Sequence, residues 1–310
     1  MNNSSLLEKL HQLPNKIIAT VHKEPDYDAI GSLLALGELI EQLGKNVTLF
    51  APDIDLGQFE HLPGIEQLST TIESEYDLAI YLDCSNQHRI FQPNKFPTYK
   101  ESINIDHHQD NTHFATYNLV QSISSVGEIM FNLFQTMNIP LNKKIATQIY
   151  AAICFDTGNF KFSNTTTETF KVAAELLSFG IPNHQISEWI FENKEQNYFE
   201  DIKTGLNNMY IDPKHPFTLV FIPHNNIENR ESTINFFRTL KGKELTVVCK
   251  ETSEKTFKLS FRSKNKIDVS RLAKIFNGGG HKRAAGAYCS KITLPELKNK
   301  LIKKIYEVFE

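Results

Sequence analysis

Residues 17–36 hold the pattern that most constrains the fold of this chain. The apolar run 17–21 predicts a buried β-strand, and the Leu, Ile and Ala spacing of residues 29–36 predicts a helix packed on it. A polar turn, residues 22–28, joins the two. A buried strand that leads through a polar turn into a helix is typical of α/β sheets, which place their ligand sites at the carboxyl ends of strands. We therefore expect residues 22–28 to line a ligand site.

Further apolar runs extend this pattern along the first half of the chain. Strands are predicted at residues 47–50, 77–82 and 102–105, and helices at residues 124–137, at residues 143–155 and, after a capping segment at 164–168, up to residue 179. Strands that alternate with helical segments indicate an α/β fold with a doubly wound parallel sheet. The acidic turns that follow the strands would then open on one edge of that sheet.

The pattern changes in the second half of the chain. Residues 183–210 are helical and mixed in charge, which predicts a helical connector. Short β-rich runs then follow at residues 217–222, 245–249 and 257–261, with helices at residues 269–276 and 294–308. We therefore expect three parts: a parallel-sheet domain at residues 1–182, the connector at residues 183–210 and a smaller α/β domain at residues 211–310.

The acidic and basic residues are also distributed unevenly on the two sides of residue 210. Residues 211–310 contain 20 Lys and Arg against 10 Asp and Glu, which leaves 13 against 26 for residues 1–210. An acidic first part suits metal binding, and a basic second part suits the binding of an anion. The alternative interpretation is a surface charge that has no functional meaning.

Composition narrows the class of protein. Of the 310 residues, 40% are hydrophobic and 22% are charged, as in ordinary globular proteins. No apolar run approaches the roughly 18 residues of a membrane span, and no basic-then-apolar leader opens the sequence, so we expect a cytoplasmic protein with no membrane partner. The four cysteines are too scattered for a thiolate zinc site or a disulfide framework.

Seven acidic and imidazole side chains stand at or just beyond the ends of predicted elements: His22, Asp26, Asp28, Asp83, His107, His108 and Asp156. Any one of them has a structural explanation, because Asp is common in turns and lone histidines are often structural. Together they would crowd like charge into one crevice, which is costly unless metal ions compensate it. Carboxylate and imidazole ligands without thiolate suit Mn²⁺ or Mg²⁺. Because two such ions about 3.5–4 Å apart activate water beside a phosphoryl group, the set predicts metal-assisted phosphoester hydrolysis.

A glycine run marks a second candidate site in the basic half. Gly278, Gly279 and Gly280 are followed directly by His281, Lys282 and Arg283. Bare backbone N–H groups beside cations form an anion cradle, whereas the alternative is a flexible glycine-rich loop. Arg262, on the predicted strand run 259–263, adds a planar guanidinium that suits phosphate.

These motifs, taken in order, resemble one known family. The quoted set is His22-x-x-x-Asp26-x-Asp28-Ala29-Ile30-Gly31-Ser32, Asp83, Asp106-His107-His108, Asp156-Thr157-Gly158 and Gly278-Gly279-Gly280-His281. In order and spacing it resembles the DHH/DHHA1 phosphoesterase superfamily, over nearly the whole chain. The length, without extra domains, looks most like the nanoRNase (NrnA-type) oligoribonucleases that also act as pAp phosphatases.

The resemblance implies roles for individual residues. It implies one metal held by His22, Asp26 and Asp83, and a second held by Asp28, Asp83, His107 and Asp156, with Asp83 shared. It further implies that His108 contacts the scissile phosphate and that Asp106 orients its neighbours. The substrate-holding positions that it implies are Arg262, Gly278, Gly279, Gly280 and His281. Asn86 stands where many relatives carry an acid, which leaves the surroundings of Asp83 open.

The leading hypothesis is an Mn²⁺-dependent exonuclease for very short RNA that also removes the 3′-phosphate of pAp, using two ions, with Mg²⁺ or another divalent cation as the alternative. A phosphodiesterase for c-di-AMP or its linear product pApA is the nearest alternative within the superfamily. An inorganic pyrophosphatase or exopolyphosphatase uses the same metals, but the Phe and Tyr residues of the second half favour a nucleobase substrate. A non-catalytic nucleotide-binding protein is less consistent with a complete ligand set. The sequence leaves the oligomeric state open, a homodimer included.

Overall fold

The computed structural model describes residues 3–51, 54–69, 71–90, 96–224 and 233–309. The chain divides into two compact units, Met1–Asn193 and Lys194–Glu310. This boundary lies inside the predicted connector at residues 183–210, whose first helix packs into the core of the first unit and whose second helix packs on a strand of the second. The three-part division at residues 182 and 210 stays a prediction.

The first unit contains a parallel sheet and its helices. Its helices are α1 (Asn3–His11), α2 (Tyr27–Gln42), α3 (Leu56–Phe59), α4 (Val126–Thr136), α5 (Lys143–Asp156), α6 (Thr167–Leu177) and α7 (Asn183–Phe191). Its strands are β1 (Ile17–Val21), β2 (Val47–Phe50), β3 (Leu68–Ser69), β4 (Glu75–Leu82), β5 (Thr98–Asp106) and β6 (Tyr117–Val120). The predicted strands are all present, and β3 and β6 are additions that the sequence pattern did not indicate.

The six strands of the first unit lie in the order β3-β2-β1-β4-β5-β6, and every neighbouring pair is parallel. The prediction of a doubly wound parallel sheet is confirmed. Ile17 at the start of β1 pairs with Val47 of β2 on one side and with Leu78 of β4 on the other. The strand order therefore reverses between β1 and β4, and such a reversal opens a crevice at the carboxyl ends of the strands. Asp83 directly follows β4 at this point.

Both faces of the sheet are packed. On one face, side chains such as Ala19 and Ile80 belong to the main core, which includes residues of α2, α4 and α5. On the other face, Ile18 and Tyr81 pack with a second cluster that includes Phe96 and other aromatic side chains. All five residues of β1 are buried, as expected for a parallel strand covered on both faces. The strand ends that carry the polar turns are thus held by a rigid core.

Helices α2, α4 and α5 approach each other closely through glycine. A Cβ on Gly31 of α2 would lie 2.5 Å from the carbonyl oxygen of Gln148 in α5, and a Cβ on Gly127 of α4 would lie 2.6 Å from Cβ of Ala152. Real Cβ atoms do not come so near to a backbone oxygen, so these contacts require glycine. The approach matters for the site because Asp28 lies in the first turn of α2 and Asp156 ends α5.

The second unit is built on a mixed sheet. Its helices are α8 (Gln196–Asn207), α9 (Ile234–Phe237), α10 (Val269–Ile275) and α11 (Leu294–Phe309). Its strands are β7 (Met209–Ile211), β8 (Phe217–Ile222), β9 (Leu245–Ser253), β10 (Thr256–Ser263), β11 (Gly279–His281) and β12 (Ala284–Ser290), in the order β11-β12-β10-β9-β8-β7. Only β8 and β9 run parallel among these paired strands. In the described parts of the chain, no helix of either unit is long and apolar enough to cross a membrane.

The glycine run of the second unit is not a flexible loop. Residues 279–281 form β11, which pairs antiparallel with β12. A Cβ on Gly278 would lie 2.0 Å from the carbonyl oxygen of Gly286, and Gly280 has φ +132° and would place a Cβ 2.6 Å from the carbonyl oxygen of Ala284. Gly278 and Gly280 are therefore required by the close pairing of the two strands, whatever they bind.

We expect the substitution Gly31→Ala to lower the free energy of unfolding by about 1–3 kcal/mol, because the new methyl group meets fixed backbone. The matched control is Gly37→Ala in the same helix, where the nearest atom, 2.8 Å away, is the end of the Leu49 side chain. That side chain can shift, and Ala favours helix over Gly by about 1 kcal/mol, so the control should be nearly neutral. Urea denaturation measures both; equal losses would show that the approach of α2 to α5 is not constrained at Gly31.

Candidate metal centre

The eight sequence-predicted site residues of the first unit, Asp106 included, converge at the carboxyl edge of its sheet. The loop after β1 and the start of α2 supply His22, Asp26 and Asp28, β4 leads to Asp83, β5 ends in Asp106 and leads to His107 and His108, and α5 ends in Asp156. Three groups of three form there: His22, Asp26 and Asp83; Asp28, His107 and Asp156; and Asp83, Asp106 and His108. Within each group, one possible ligand atom per residue lies within 4.8 Å of the others. The first two groups contain residues of the two ligand sets that the family resemblance implies, and their role as metal ligands stays a prediction.

Asp26 serves the helix and the site at the same time. It is the N-cap of α2, where its Oδ1 accepts hydrogen bonds from the backbone N–H groups of Asp28 (3.0 Å) and Ala29 (3.1 Å). Its Oδ2 lies 3.9 Å from Nε2 of His22. One oxygen therefore fixes the turn, while the other faces the imidazole.

The two histidines His22 and His107 are oriented in the same way. Nδ1 of His22 donates to the carbonyl oxygen of Lys23 at 2.8 Å. Nδ1 of His107 donates to the carbonyl oxygen of Ile123 at 3.3 Å. A carbonyl oxygen accepts only, so these bonds place the proton on Nδ1 and leave the lone pair on Nε2. In both residues it is Nε2 that faces the carboxylates. This is the orientation of a metal-ligating histidine.

Asp28 is held by the start of another helix. Its Oδ2 accepts from the N–H of Val126 at 2.8 Å and its Oδ1 accepts from the N–H of Gly127 at 2.9 Å, at the first turn of α4. A helix N-terminus stabilises negative charge. The side chain is fully buried, and burial together with the charge of Asp83 raises the pKa of Asp28 well above its usual value. Oδ2 lies 3.6 Å from Nε2 of His107.

Asp83 belongs to the group of His22 and Asp26 and also lies beside His107 of the neighbouring group. Its Oδ2 is 3.4 Å from Nε2 of His22, and its Oδ1 is 3.5 Å from Nε2 of His107. Burial alone would raise the pKa of Asp83, but the neighbouring imidazoles of His107 and His22 outweigh burial and hold that pKa well below its ordinary value. Asp83 has φ +56°, a left-handed conformation that Asp tolerates better than most residues and that is often retained at functional sites.

The charge balance of this cluster fits a cation. Burial and neighbouring carboxylates raise the pKa of Asp26 and raise that of Asp156 to about 7. Burial alone would lower the pKa of His107, but the neighbouring Asp156 and Asp83 outweigh burial and raise the pKa of His107 well above its usual value. Oδ1 of Asp83 is buried and has no hydrogen bond of good geometry. Carboxylate oxygens and two oriented imidazoles are a donor set that suits Mn²⁺ or Mg²⁺, so these residues could hold divalent metal.

His108 and Asp106 form a separate pair beside this cluster. Nδ1 of His108 donates to Oδ1 of Asp106 at 2.8 Å, and Oδ2 of Asp106 accepts from Nδ2 of Asn111 at 2.5 Å. Burial raises the pKa of Asp106, but the hydrogen bond from His108 outweighs it and lowers that pKa. Nδ1 of His108 also lies 3.3 Å from Oδ1 of Asp83. The pair fixes the imidazole of His108 next to the metal-ligand candidates.

The predicted substrate-holding residues of the second unit lie on neighbouring strands. Arg262 of β10 pairs in register with Ala284 of β12, and Ala284 pairs with His281 of β11. Paired residues of antiparallel strands share a face of the sheet, so Arg262 and His281 lie in one row. Their assignment to substrate binding stays a prediction.

Comparison with known proteins places this geometry in a family. Residues 16–153 match the N-terminal domain of the DHH family, and residues 217–310 match the DHHA1 domain. An uncharacterized protein of Mycoplasma genitalium is 30% identical over 288 residues, which span 87% of this chain and 86% of the relative. The chain belongs to the DHH family. The resemblance predicted from its motifs is therefore confirmed.

Two further similarities cover almost the whole DHH-family chain. A Thermus thermophilus protein named bifunctional oligoribonuclease and PAP phosphatase NrnA is 28% identical over 305 residues, 97% of this chain and 92% of the relative. The crystal structure of an exopolyphosphatase-related protein from Bacteroides fragilis superposes with a TM-score of 0.84 at 25% identity and covers 99% of this chain and 97% of that one. The protein is thus a hydrolytic enzyme of the DHH phosphoesterase family.

Sequence reasoning missed two asparagines beside the DHH motif, of which Asn104 is buried and Asn111 is half-buried. Asn104, in β5, donates to the carbonyl oxygens of Tyr81 (3.2 Å) and Cys84 (3.1 Å). Asn111 donates to Oδ1 of Asn104 at 2.8 Å as well as to Asp106. These bonds tie the turn that carries Asp83 to β5. The available signal is the single amide between two apolar residues, Ile103 and Ile105.

Glu128 was also missed, and it holds the N-terminus of α4. Its Oε2 accepts from the hydroxyls of Ser124 and of Thr169, the latter at 2.9 Å in α6. Ser125 caps α4 by accepting from the N–H of Glu128 at 3.1 Å, as the predicted cap at Ser124 or Ser125 allows. Asn86, the departure from the family pattern, caps a short turn by accepting a hydrogen bond from the N–H of His88 at 3.0 Å.

We expect Asp83→Asn to weaken the retention of metal by this DHH-family protein more than about 100-fold, because the two carboxylate oxygens of Asp83 face His22 of one group and His107 of the other. His22→Ala should weaken mainly one ion. Asn is chosen for Asp83 because it has nearly the same shape and tolerates positive φ. Metal content after dialysis against a range of free Mn²⁺ measures the effect, with the melting temperature as the control for folding. An Asp83→Asn protein that retains as much manganese as the wild type would contradict the shared-ligand assignment.

Proposed function

We propose that this protein is an Mn²⁺-dependent phosphoesterase that hydrolyses short oligoribonucleotides to mononucleotides and removes the 3′-phosphate of pAp to give AMP. The observation that carries the proposal is the pair of ligand groups that meet at Asp83. The similarity to the Thermus thermophilus protein, over 92% of its length, supports the substrate class. Mg²⁺ is the alternative metal, and the substrates are the proposed partners of the enzyme.

The ligand assignment follows the two groups. His22, Asp26 and Asp83 would hold one ion, and the second would be held by Asp28, Asp83, His107 and Asp156. When bound, such a pair of ions neutralises phosphoryl charge and lowers the pKa of a bound water. The protein's part is to keep its ligands in place: backbone N–H groups hold Asp26 and Asp28, and carbonyl oxygens hold both imidazoles.

Two other sets of residues would act on the substrate itself. His108, oriented by Asp106, would contact the scissile phosphate, where negative charge increases during the reaction. Arg262 and His281 would hold a substrate phosphate on the second unit, with the planar guanidinium of Arg262 suited to two parallel hydrogen bonds. Gly278, Gly279 and Gly280 would let the substrate approach the backbone beside them.

The alternatives differ in substrate. A c-di-AMP or pApA phosphodiesterase would use the same ligands, and only a substrate comparison separates it from the leading proposal. Pyrophosphate and polyphosphate lack a base, whereas the second unit exposes aromatic side chains that include Tyr288 at 50%. A non-catalytic role is disfavoured because the family is hydrolytic and the ligand set is complete.

The substitution Asp106→Asn should lower kcat about 10- to 100-fold while the bound metal stays near the wild-type level. The amide oxygen of Asn is a weaker acceptor for the Nδ1–H of His108 than the carboxylate of Asp106 is. The imidazole of His108 therefore loses its fixed orientation. Steady-state kinetics with pAp and metal analysis of the same preparation measure the two effects. An unchanged kcat would remove His108 and Asp106 from the reaction.

Cleavage should be fastest on RNA of roughly two to five nucleotides and fall steeply for longer chains. Residues 1–210 carry 26 acidic against 13 basic residues, so a long polyanion meets more repulsion than a short one. The measurement compares kcat/KM for a dimer, a pentamer and a 24-mer at fixed Mn²⁺ and ionic strength, with pAp, c-di-AMP, pApA and pyrophosphate in parallel. Values that are equal or rise with length would contradict the short-substrate proposal, and rapid c-di-AMP or pApA hydrolysis without RNA cleavage would favour the phosphodiesterase.

A further inference from the structure

Gly286, in the middle of β12, is a glycine that the fold does not need. A Cβ at this position would meet only the carbonyl oxygen of Leu259, at 3.4 Å, which is an ordinary contact. Gly278 and Gly280, in contrast, would place a Cβ within 2.6 Å of backbone atoms. Glycine within a strand costs about 0.5–1 kcal/mol relative to Ala, and it often marks a place where a ligand comes close to the backbone. The position of Gly286 points to such an approach.

Gly286 belongs to a face of the second sheet that the α10 and α11 core does not use. Alternate residues of β10 and β12, among them Leu259, Phe261 and Ala285, are buried in that core. The residues between them therefore point to the opposite side. We call this side the β10–β12 face and define it by Lys258, Ser260, Arg262, Ala284, Gly286 and Tyr288, which are half-buried or exposed.

Three rows with different chemistry cross the β10–β12 face. In the first row Arg262 pairs with Ala284, and Ala284 pairs with His281. The second row contains only small side chains, as Ser260 pairs with Gly286 and Gly286 with Gly279. In the third row Lys258 pairs with Tyr288. The face thus has cations at one end, a shallow floor in the middle, and an aromatic ring with a second cation at the other end.

The third row presents its ring to ligands. Tyr288 is 50% exposed, and Nζ of Lys258 lies 5.8 Å from the centroid of its ring. Residues four apart on a strand are about 13 Å apart. An extended ligand held by its phosphate at the first row would therefore place a different part, such as a base, over the ring of Tyr288 in the third row. A flat aromatic ring beside a glycine floor and a cation is the combination that binds nucleobases of single strands by stacking.

We propose that the β10–β12 face is a nucleotide subsite, in which Tyr288 stacks on a base of a single-stranded oligoribonucleotide whose phosphate is held by Arg262 and His281. Gly286 leaves room for that base, and Lys258 contributes positive charge beside it. The proposal rests on the proposed function for the nature of the substrate. It assigns Tyr288 and Gly286 to substrate binding, which the family resemblance does not imply for either residue.

The test is equilibrium binding of a diribonucleotide to the full-length protein in the presence of a chelator, which prevents hydrolysis. Tyr288→Ala should weaken binding about 5- to 100-fold, the range measured for one stacked base, whereas Tyr288→Phe, which keeps the ring, should bind within about twofold of the wild type. Gly286→Val should weaken binding to a similar degree without a lower melting temperature. Phe236→Ala, which removes another exposed aromatic ring of the second unit, is the matched control and should change nothing.

A second ligand series identifies the contact. The dinucleotide is compared with two analogues in which either the first or the second base is absent. The effect of Tyr288→Ala should vanish for one analogue, because the ring then has no base to stack on. If Tyr288→Ala binds the complete dinucleotide as tightly as the wild type while Arg262→Ala binds it more weakly, the subsite is wrong and the proposed function stands. If the wild-type protein neither binds nor cleaves the dinucleotide, the proposed function is wrong, and the subsite is rejected with it.

Discussion

The repulsion among the carboxylates at one sheet edge is the constraint that the rest of the first unit has to offset. Asp26, Asp28, Asp83 and Asp156 lie close together, with Asp28 and Asp83 buried, and the pKa values of Asp26, Asp28 and Asp156 are raised above the usual Asp value. Helix N-termini stabilise Asp26 and Asp28, and two imidazoles lie beside Asp83. These contacts orient the carboxylates, but a divalent cation is the group that neutralises them most fully. A bound divalent cation would therefore stabilise the geometry of the site as well as supply its chemistry.

The rest of the first unit meets this constraint by rigid packing. The reversal of strand order between β1 and β4 brings their polar turns together, and close contacts at Gly31 and Gly127 set the helices that carry Asp28, Asp156 and the N–H groups facing Asp28. Both faces of the sheet are packed, so the strand ends cannot move independently. A metal site that must hold ligands to within a fraction of an ångström needs such a support.

The sequence was most informative where a pattern repeats or a motif is long. The strand 17–21 and the seven acidic and imidazole residues were predictable, because a buried parallel strand is apolar throughout and its ligand residues directly follow its end. Asn104 was not, since one amide between two isoleucines gives no periodic signal and one of its partners, Cys84, comes from a distant turn. The pairing of β11 with β12 was hidden as well, because a glycine run predicts freedom of the backbone and not the close contact that requires it.

The most direct test of the central claim is anomalous diffraction from crystals of the protein grown with Mn²⁺. We expect two manganese peaks about 3.5–4 Å apart at the carboxyl ends of β1, β4 and β5. One should lie beside Nε2 of His22, the other beside Nε2 of His107, and the carboxylate of Asp83 should contact both. A single peak, or two peaks of which Asp83 contacts only one, would contradict the account.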